Sequence, residues 1–317
     1  MRGRLKSLLE RSRRYLAAPV WQRLDSIEGR LAETAEAIEQ LRKNTPAEVT
    51  AQRLLWLEYR RIAGAAGPGL SFGDVGFRCC SQTDEDGILL YIFGVIGAAG
   101  RTSVEICCAD GIECNTANLV IHHGWRALMV DGDANRIDTG RRFYASHRDT
   151  RVHPPVMVTA WVTAENVDDV IARNGFSGEI ALLSIDVDGN DYWIWKAISV
   201  VQPRVVVVEY QDILGPERSW TIPYRPDFKA SDYPVNRPEE PNYAGASLTA
   251  LVRLARRKGY RLVGCNRYGY NAFFVRNDLG DGLLPEVPAE SCFTHPKVVE
   301  GMQRRFPLVA RHEWQEV

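Results

Sequence analysis

The spacing of hydrophobic and polar positions changes several times along the chain, and the changes divide it into segments. Leu24, Ile27, Leu31, Thr34, Ile38 and Leu41 alternate steps of three and four, the seam of a heptad-patterned helix. Asn44-Thr45-Pro46 ends that pattern. A second amphipathic helix is expected over 47–62, followed by the Gly/Pro-rich run 64–69, which marks a domain boundary. Beyond it, short apolar runs alternate with helical patterns. Strands are predicted at Val104 and Ile106, over 127–130, 156–161, 180–185 and 205–208, and then over 261–264 and 271–275. Helices are predicted through Leu89 to Phe93, from an N-cap at Asn115 to a stop at Gly124, over 164–173 and over 247–258. The run 180–185 is apolar throughout, as in a strand covered on both faces. This alternation implies an α/β fold with a mostly parallel sheet and helices on both faces.

Length and composition refine the picture. The 317 residues, 45% hydrophobic and 25% charged, allow one catalytic-size domain with appendages: a helical region over 1–63, an α/β domain over 70–280 and an extension over 281–317. A formal net charge of −1 gives no bias toward nucleic acid. No apolar run approaches the roughly 18 residues that span a bilayer. The start of the chain is too charged for a secretory signal, so a cytoplasmic location is expected. Arg2, Arg4, Lys6, Arg11, Arg13 and Arg14, interleaved with leucines, would suit peripheral contact with an anionic membrane, a partner surface or a solvated helix. Three heptads are marginal for a lone helix, which points to a homo-oligomer formed through the N-terminal coiled coil. The seven cysteines fit a reducing compartment. They show no C-x-x-C spacing, and adjacent cysteines are poor tetrahedral chelators, so they read as small buried hydrophobes rather than metal ligands.

Candidate chemistry gathers where strands end. The strand at Val104 stops at Cys107-Cys108-Ala109-Asp110-Gly111, and the next one ends at Asp131-Gly132-Asp133. An open α/β sheet binds its ligand at such strand ends. One carboxylate at the tip of the second strand can accept from both hydroxyls of a ribose. A turn of small residues admits close backbone approach, and Glu105 or Asp110 can hold a cationic group. The G-x-G-x-x-G pyrophosphate fingerprint is absent, which favours a nucleoside cofactor without phosphates, such as S-adenosylmethionine (SAM), over NAD or a nucleotide-sugar.

Ser81-Gln82 with Glu85-Asp86-Gly87, Val104-Glu105 with Asp110-Gly111, Glu113 to Leu119, Gly124-Trp125, Asp131-Gly132 and Ser184 to Tyr192 together resemble FkbM-like SAM-dependent methyltransferases. They are more distantly similar to metal-dependent macrocin-type sugar O-methyltransferases. The likeness spans about 77–279. It implies a Rossmann-like class I methyltransferase sheet with an antiparallel inserted last strand, and transfer to a hydroxyl of a sugar or glycan-like acceptor. One departure stands out. Where such families have a glycine-rich turn, this chain has Cys107, Cys108 and Ala109. If that turn had lost the cofactor, the alternative would be a catalytically degenerate scaffold in a glycan-assembly complex.

Asp131 and Gly132 are expected at the ribose, Glu105, Cys107, Asp110 and Gly111 at the methionine end, Gln82 as a further wall and Trp161 beside the adenine. Asp186, Asp188, Asp191 and Glu209 leave neighbouring strands together. They can hold a divalent cation, with Mg²⁺ the candidate, while Asp188, Asp186 and Glu209 serve as base or metal ligands for activating a hydroxyl. Asp188 and Asp191 could equally cap the helix that follows. An EF-hand is excluded because Ala197 stands at the twelfth position. The segment 211–244 reads as a lid or acceptor platform, with Tyr210, Tyr224 and Arg225 as candidate acceptor contacts.

Overall fold

The computed structural model describes residues 46–65, 67–237 and 240–317, together with Arg23, Ser26, Ile27 and Arg30. The heptad seam apart from Ile27, and the basic stretch before Arg23, lie outside the described residues. The chain divides into two compact units, Met1–Leu54 and Leu55–Val317. The helix expected over 47–62 runs from Pro46 to Ala63.

Seven strands of the second unit form one sheet: β1 (Thr102–Ile106), β2 (Arg126–Asp131), β3 (Val156–Thr159), β4 (Gly178–Ile185), β5 (Val201–Glu209), β7 (Tyr260–Cys265) and β8 (Asn271–Arg276). Their order is β3-β2-β1-β4-β5-β8-β7. The first five are parallel, and β8 runs antiparallel between β5 and β7. This is a Rossmann-like sheet with its last strand inserted antiparallel, the topology that the resemblance implies. Strand order reverses between β1 and β4, so a crevice opens above their carboxyl ends. The amide of Asp186 donates to the Ile106 carbonyl at 3.3 Å and holds those two ends together.

Several elements differ from the sequence reading, among them the unpredicted tail helix Pro296–Arg304, and two of the differences bear on the site. β5 begins four residues earlier than predicted, because Pro203 inside it disguises its first half. A helix over Ala134–Ser146 was not predicted at all. Its buried face is Ile137, Gly140 and Tyr144, and the glycine interrupts the apolar stripe. Gly140 is required there, since a Cβ would lie 2.1 Å from the Asp110 carbonyl oxygen. That contact sets the helix directly against the turn after β1.

The sheet is buried on both faces. Val104, Ile106, Leu128, Val130, Leu183 and Ile185 pack into one layer with Trp195 and Leu251. Met129, Leu182, Val205, Val207 and Phe273 pack into the other with Leu89 and Phe93. Each such side chain contributes on the order of 1.5 to 3 kcal/mol through burial. A third cluster joins Ile213, Ile222, Phe228 and Tyr243 to Val309 of the tail. There β6 (Trp220–Thr221) pairs antiparallel with β9 (Gln315–Glu316). Thus the end of the tail and the segment 211–244 pack together as one cluster. No helix among the described residues is long and apolar enough to cross a membrane.

Candidate active site

The site is built on the turn after β1. Cys107 and Ala109 adopt φ values of +65° and +54°, the left-handed backbone that glycine ordinarily supplies. Such a conformation costs an L-residue roughly 1 to 2 kcal/mol. Three of the four described non-glycine residues with positive φ, namely Cys107, Ala109 and Asp188 (+49°), lie in this crevice. Strain of this kind concentrates where function constrains the backbone. The turn is held by hydrogen bonds: the amides of Cys107 and Cys108 both donate to the Val130 carbonyl at 2.7 and 3.0 Å. The Ala109 amide donates to Asp131 at 2.9 Å.

Glu105 is buried, and its carboxylate accepts the amides of Asn115 at 3.0 Å and Thr116 at 2.8 Å. It therefore fixes the start of the helix Ala117–His123, the role expected of Asn115. The Asn115 side chain instead donates to Ser184 Oγ at 3.0 Å. Gly124 ends the helix in a left-handed conformation, as expected. Asp110 accepts the Ile112 amide at 3.0 Å, and the Gly111 carbonyl accepts the Tyr144 hydroxyl.

Two shallow cavities of about 60 Å³ each flank Cys107. One is lined by Gln82, Glu105, Cys107, Asn115, Asp186 and Asn271. The other is lined by Cys107, Asp131, Gly132, Trp161, Asn190 and Phe228. In the second, Trp161 lies over Gly132, whose Cβ, if present, would stand 3.1 Å from the ring. Its indole N–H donates to the Pro226 carbonyl at 2.7 Å. Neither Asp110 nor Gly111 lines either cavity. Asn190 and Asn271, unanticipated from the sequence, each carry a buried side-chain oxygen with no hydrogen-bond partner. Each thus offers one of these cavities an unused acceptor.

The acidic cluster after Gln82 explains how that residue is placed. Asp86 Oδ2 accepts the amides of Cys79, Cys80 and Ser81 at 2.7, 2.6 and 2.7 Å. Buried Glu85 accepts from Thr83, Asn266 and Asn271, and Asp84 accepts the Arg267 amide at 3.1 Å. These acids fasten the segment 79–83 to the β7–β8 turn. None of them caps the helix Glu85–Ile96 in the ordinary way, because Asp84 at its N-cap makes no capping bond.

Asp186, Asp188 and Glu209 bring carboxylate oxygens within 4.8 Å of one another, with Asp188 the exposed member. Burial, then repulsion from Asp188 and Asp191, pushes the Asp186 carboxyl well above the usual carboxylate range. Burial and the charges of Asp186 and Asp188 do the same to Glu209. Asp191 is placed differently: it is fully buried, and its two oxygens take the amides of Val187 at 2.8 Å and Gly189 at 3.0 Å. It shapes the loop carrying Asp188 rather than joining the three-carboxylate group. Its bonds run back into that loop, not forward as a helix cap.

That group forms one wall of a larger cavity of about 410 Å³, which also meets Gln82, Tyr210, Gln211, Tyr270 and, from the tail, Lys297 and Arg305. Arg305 pairs with buried Asp212 at 2.5 Å. Lys297 bonds to the Tyr270 hydroxyl. Nothing in the sequence pattern connects these tail residues with Gln82, more than 200 positions away. Tyr210 lines the cavity and donates to the Cys292 carbonyl at 3.2 Å. Tyr224 and Arg225 do not line it. Tyr224 bonds to Glu165, and exposed Arg225 bonds to Tyr233 at 3.1 Å and Glu313 at 3.4 Å. Phe228 and Tyr233, 5.3 Å apart and stacked, belong to the cluster that joins the segment 211–244 to the tail.

No family model matches the chain, and neither does any curated protein. Among solved structures it is similar to the magnesium protoporphyrin IX methyltransferase ChlM from Synechocystis with bound SAM, at 9% identity and a TM-score of 0.36, over 61% of this chain and 77% of that one. It is also similar to the CcbJ methyltransferase from Streptomyces caelestis, at 14% identity and 0.37, over 61% and 89%. A third is the Bacillus cereus O-methyltransferase in complex with SAH, at 14% identity and 0.36, over 69% and 88%.

Proposed function

We propose that the protein is a SAM-dependent O-methyltransferase that acts on a hydroxyl of a sugar or glycan-like acceptor. The observation that carries this reading is the continuity of the three cavities. Cys107 lines both small ones, while Gln82 and Asp186 line the methionine-side cavity and the large one. A ligand lying across the ends of β1 and β2 would therefore point its reactive end at the carboxylate cluster.

The residues present fit SAM. Asp131 retains about two of its four lone-pair positions for ribose hydroxyls after accepting two amides. Trp161 and Gly132 make a slot for a flat ring. The unused oxygens of Asn190 and Asn271 suit the amino groups at the two ends of the cofactor. The glycine-like backbone at Cys107 and Ala109 keeps the turn open despite their side chains, which favours the enzyme over the scaffold.

The three carboxylates also fit a hard divalent cation such as Mg²⁺, since their mutual repulsion is relieved by positive charge. A cation held there would bind acceptor oxygens and lower the pKa of a hydroxyl. Asp186, Asp188 and Glu209 orient that hydroxyl, and Asp188, open to solvent, takes its proton and passes it to water. The oxygen then displaces the sulfonium sulfur: an O–C bond forms, an S–C bond breaks and a neutral thioether leaves. Alignment of the two reactants in adjoining cavities supplies on the order of 7 to 11 kcal/mol of the barrier reduction.

The test is transfer of label from SAM to a panel of free and nucleotide-linked sugars, with Mg²⁺ or with chelator. Label on an acceptor hydroxyl, diminished by chelator, is expected. Hydrolysis or binding of SAM with no transfer across a broad panel would count against a sugar acceptor.

A further inference from the structure

We propose that Cys79, Cys80 and His122 form a second metal site, distinct from the carboxylate cluster, for a soft divalent ion of the zinc class. Their ligand atoms lie within 4.8 Å of one another, and the two sulfurs are 3.9 Å apart. A tetrahedral ion with metal–sulfur bonds of about 2.3 Å holds two sulfurs about 3.8 Å apart. A disulfide would need about 2 Å. The Cys80 thiol donates to Cys79 Sγ across this distance, and the same spacing suits two ligands of one ion.

Adjacent side chains ordinarily diverge, the objection to these cysteines raised by their sequence. Asp86 removes it. By accepting the successive amides of Cys79, Cys80 and Ser81 on one oxygen, it curls the backbone so that both thiols face the same way. The third ligand comes from another element. His122 stands in the last turn of the helix Ala117–His123, and its Nδ1 is buried without a hydrogen-bond partner. A buried imidazole nitrogen left unbonded calls for a partner, and an ion would provide one at this ring.

The donor set selects the metal. Two thiolates and a neutral imidazole balance a divalent charge and favour zinc over magnesium, which prefers oxygen. Binding replaces two S–H bonds by two S–metal bonds and releases two protons to solvent, leaving a fourth position for water. The ion would tie the segment carrying Gln82 to the helix whose start is held by Glu105. The two walls of the crevice would then move together. The site rests on its own ligands and not on the methyl-transfer reading.

Reduced, metal-free full-length protein titrated with Co²⁺ tests it. One equivalent per chain should give a sulfur-to-cobalt charge-transfer band with tetrahedral d–d bands, displaced by Zn²⁺. The oxygen-only carboxylate cluster cannot produce the sulfur band. The double variant Cys79→Ser/Cys80→Ser should lose it, and Cys107→Ser should keep it. In the wild-type protein, where folding of a variant is not at issue, one equivalent of Zn²⁺ should slow alkylation of Cys79 and Cys80 by about tenfold or more and leave Cys107 unchanged. Absence of the sulfur band, its survival in the double variant, or unaltered alkylation would overturn the proposal.

Discussion

The carboxylate of Asp131 accepts the Ala109 amide at 2.9 Å, so the end of β2 and the turn after β1 are held as one piece. Its other oxygen accepts the Asp133 amide at 2.8 Å. Asp131→Ala strands both amides and should lower stability by about 1 to 3 kcal/mol. It should also weaken SAM binding by at least about tenfold, the equivalent of one charged hydrogen bond. Calorimetric titration of the folded variant reads both the fold and the affinity. Unchanged affinity would remove Asp131 from the cofactor site.

Ala109 provides the complementary case. At φ +54° it occupies a conformation that favours glycine. Ala109→Gly should therefore raise the unfolding free energy by up to about 1 kcal/mol, whereas the same change in a helix or strand lowers it by about 0.5 to 1. Urea denaturation distinguishes the two signs. A loss of stability would show that the turn is not strained.

Asp188 sits at φ +49°, which asparagine also tolerates. Asp188→Asn thus removes the charge while keeping the loop. Turnover should fall by about 10²- to 10⁴-fold, the usual contribution of a positioned base. SAM affinity should stay within about threefold, because the lost interaction is one made to the acceptor. Full turnover in this variant would exclude Asp188 from the chemistry.

Burial, opposed by its amide hydrogen bonds, pushes the Asp86 carboxyl up to about 6. Burial likewise takes Asp191 to about 6. A carboxyl that titrates near 6 when folded and near 3.9 when unfolded binds its proton more tightly in the folded state. Its contribution to stability is therefore complete below about pH 4 and is lost as pH rises through about 6. Carbon-13 NMR of labelled aspartate should show two side-chain carboxyl resonances with midpoints near 6. Their disappearance, one in Asp86→Asn and the other in Asp191→Asn, would assign them. Midpoints near 4 for both would mean that water reaches these carboxylates.

Much of the fold was legible because buried parallel strands are continuous apolar runs, and all seven sheet strands coincide with runs such as 127–130 and 180–185. The helix Ala134–Ser146 escaped because Gly140, demanded by close approach to Asp110, breaks its stripe. Acids at strand tips, Asp131 and Glu209, stood out for the same reason that they line the crevice: a charged residue directly after an apolar run must leave the sheet. The division of labour among acids was not legible. Asp191 and Asp188 are both plausible ligands by spacing, and only the path of the loop shows that Asp191 turns back to the Val187 and Gly189 amides. Lys297 and Arg305 reach the large cavity through the packing of the tail against the segment 211–244, a contact with no periodic signature.

The most direct measurement is a thermal shift of the purified protein with SAM and with its demethylated product. A ligand at about a hundred times its dissociation constant adds about 2.7 kcal/mol, or roughly 5 to 10 °C for a domain of this size. A shift of that order with both ligands, abolished in Asp131→Ala, is the expected result. A cooperatively melting protein that shifts with neither ligand would contradict a working cofactor site and leave the turn at Cys107 as the relic of one.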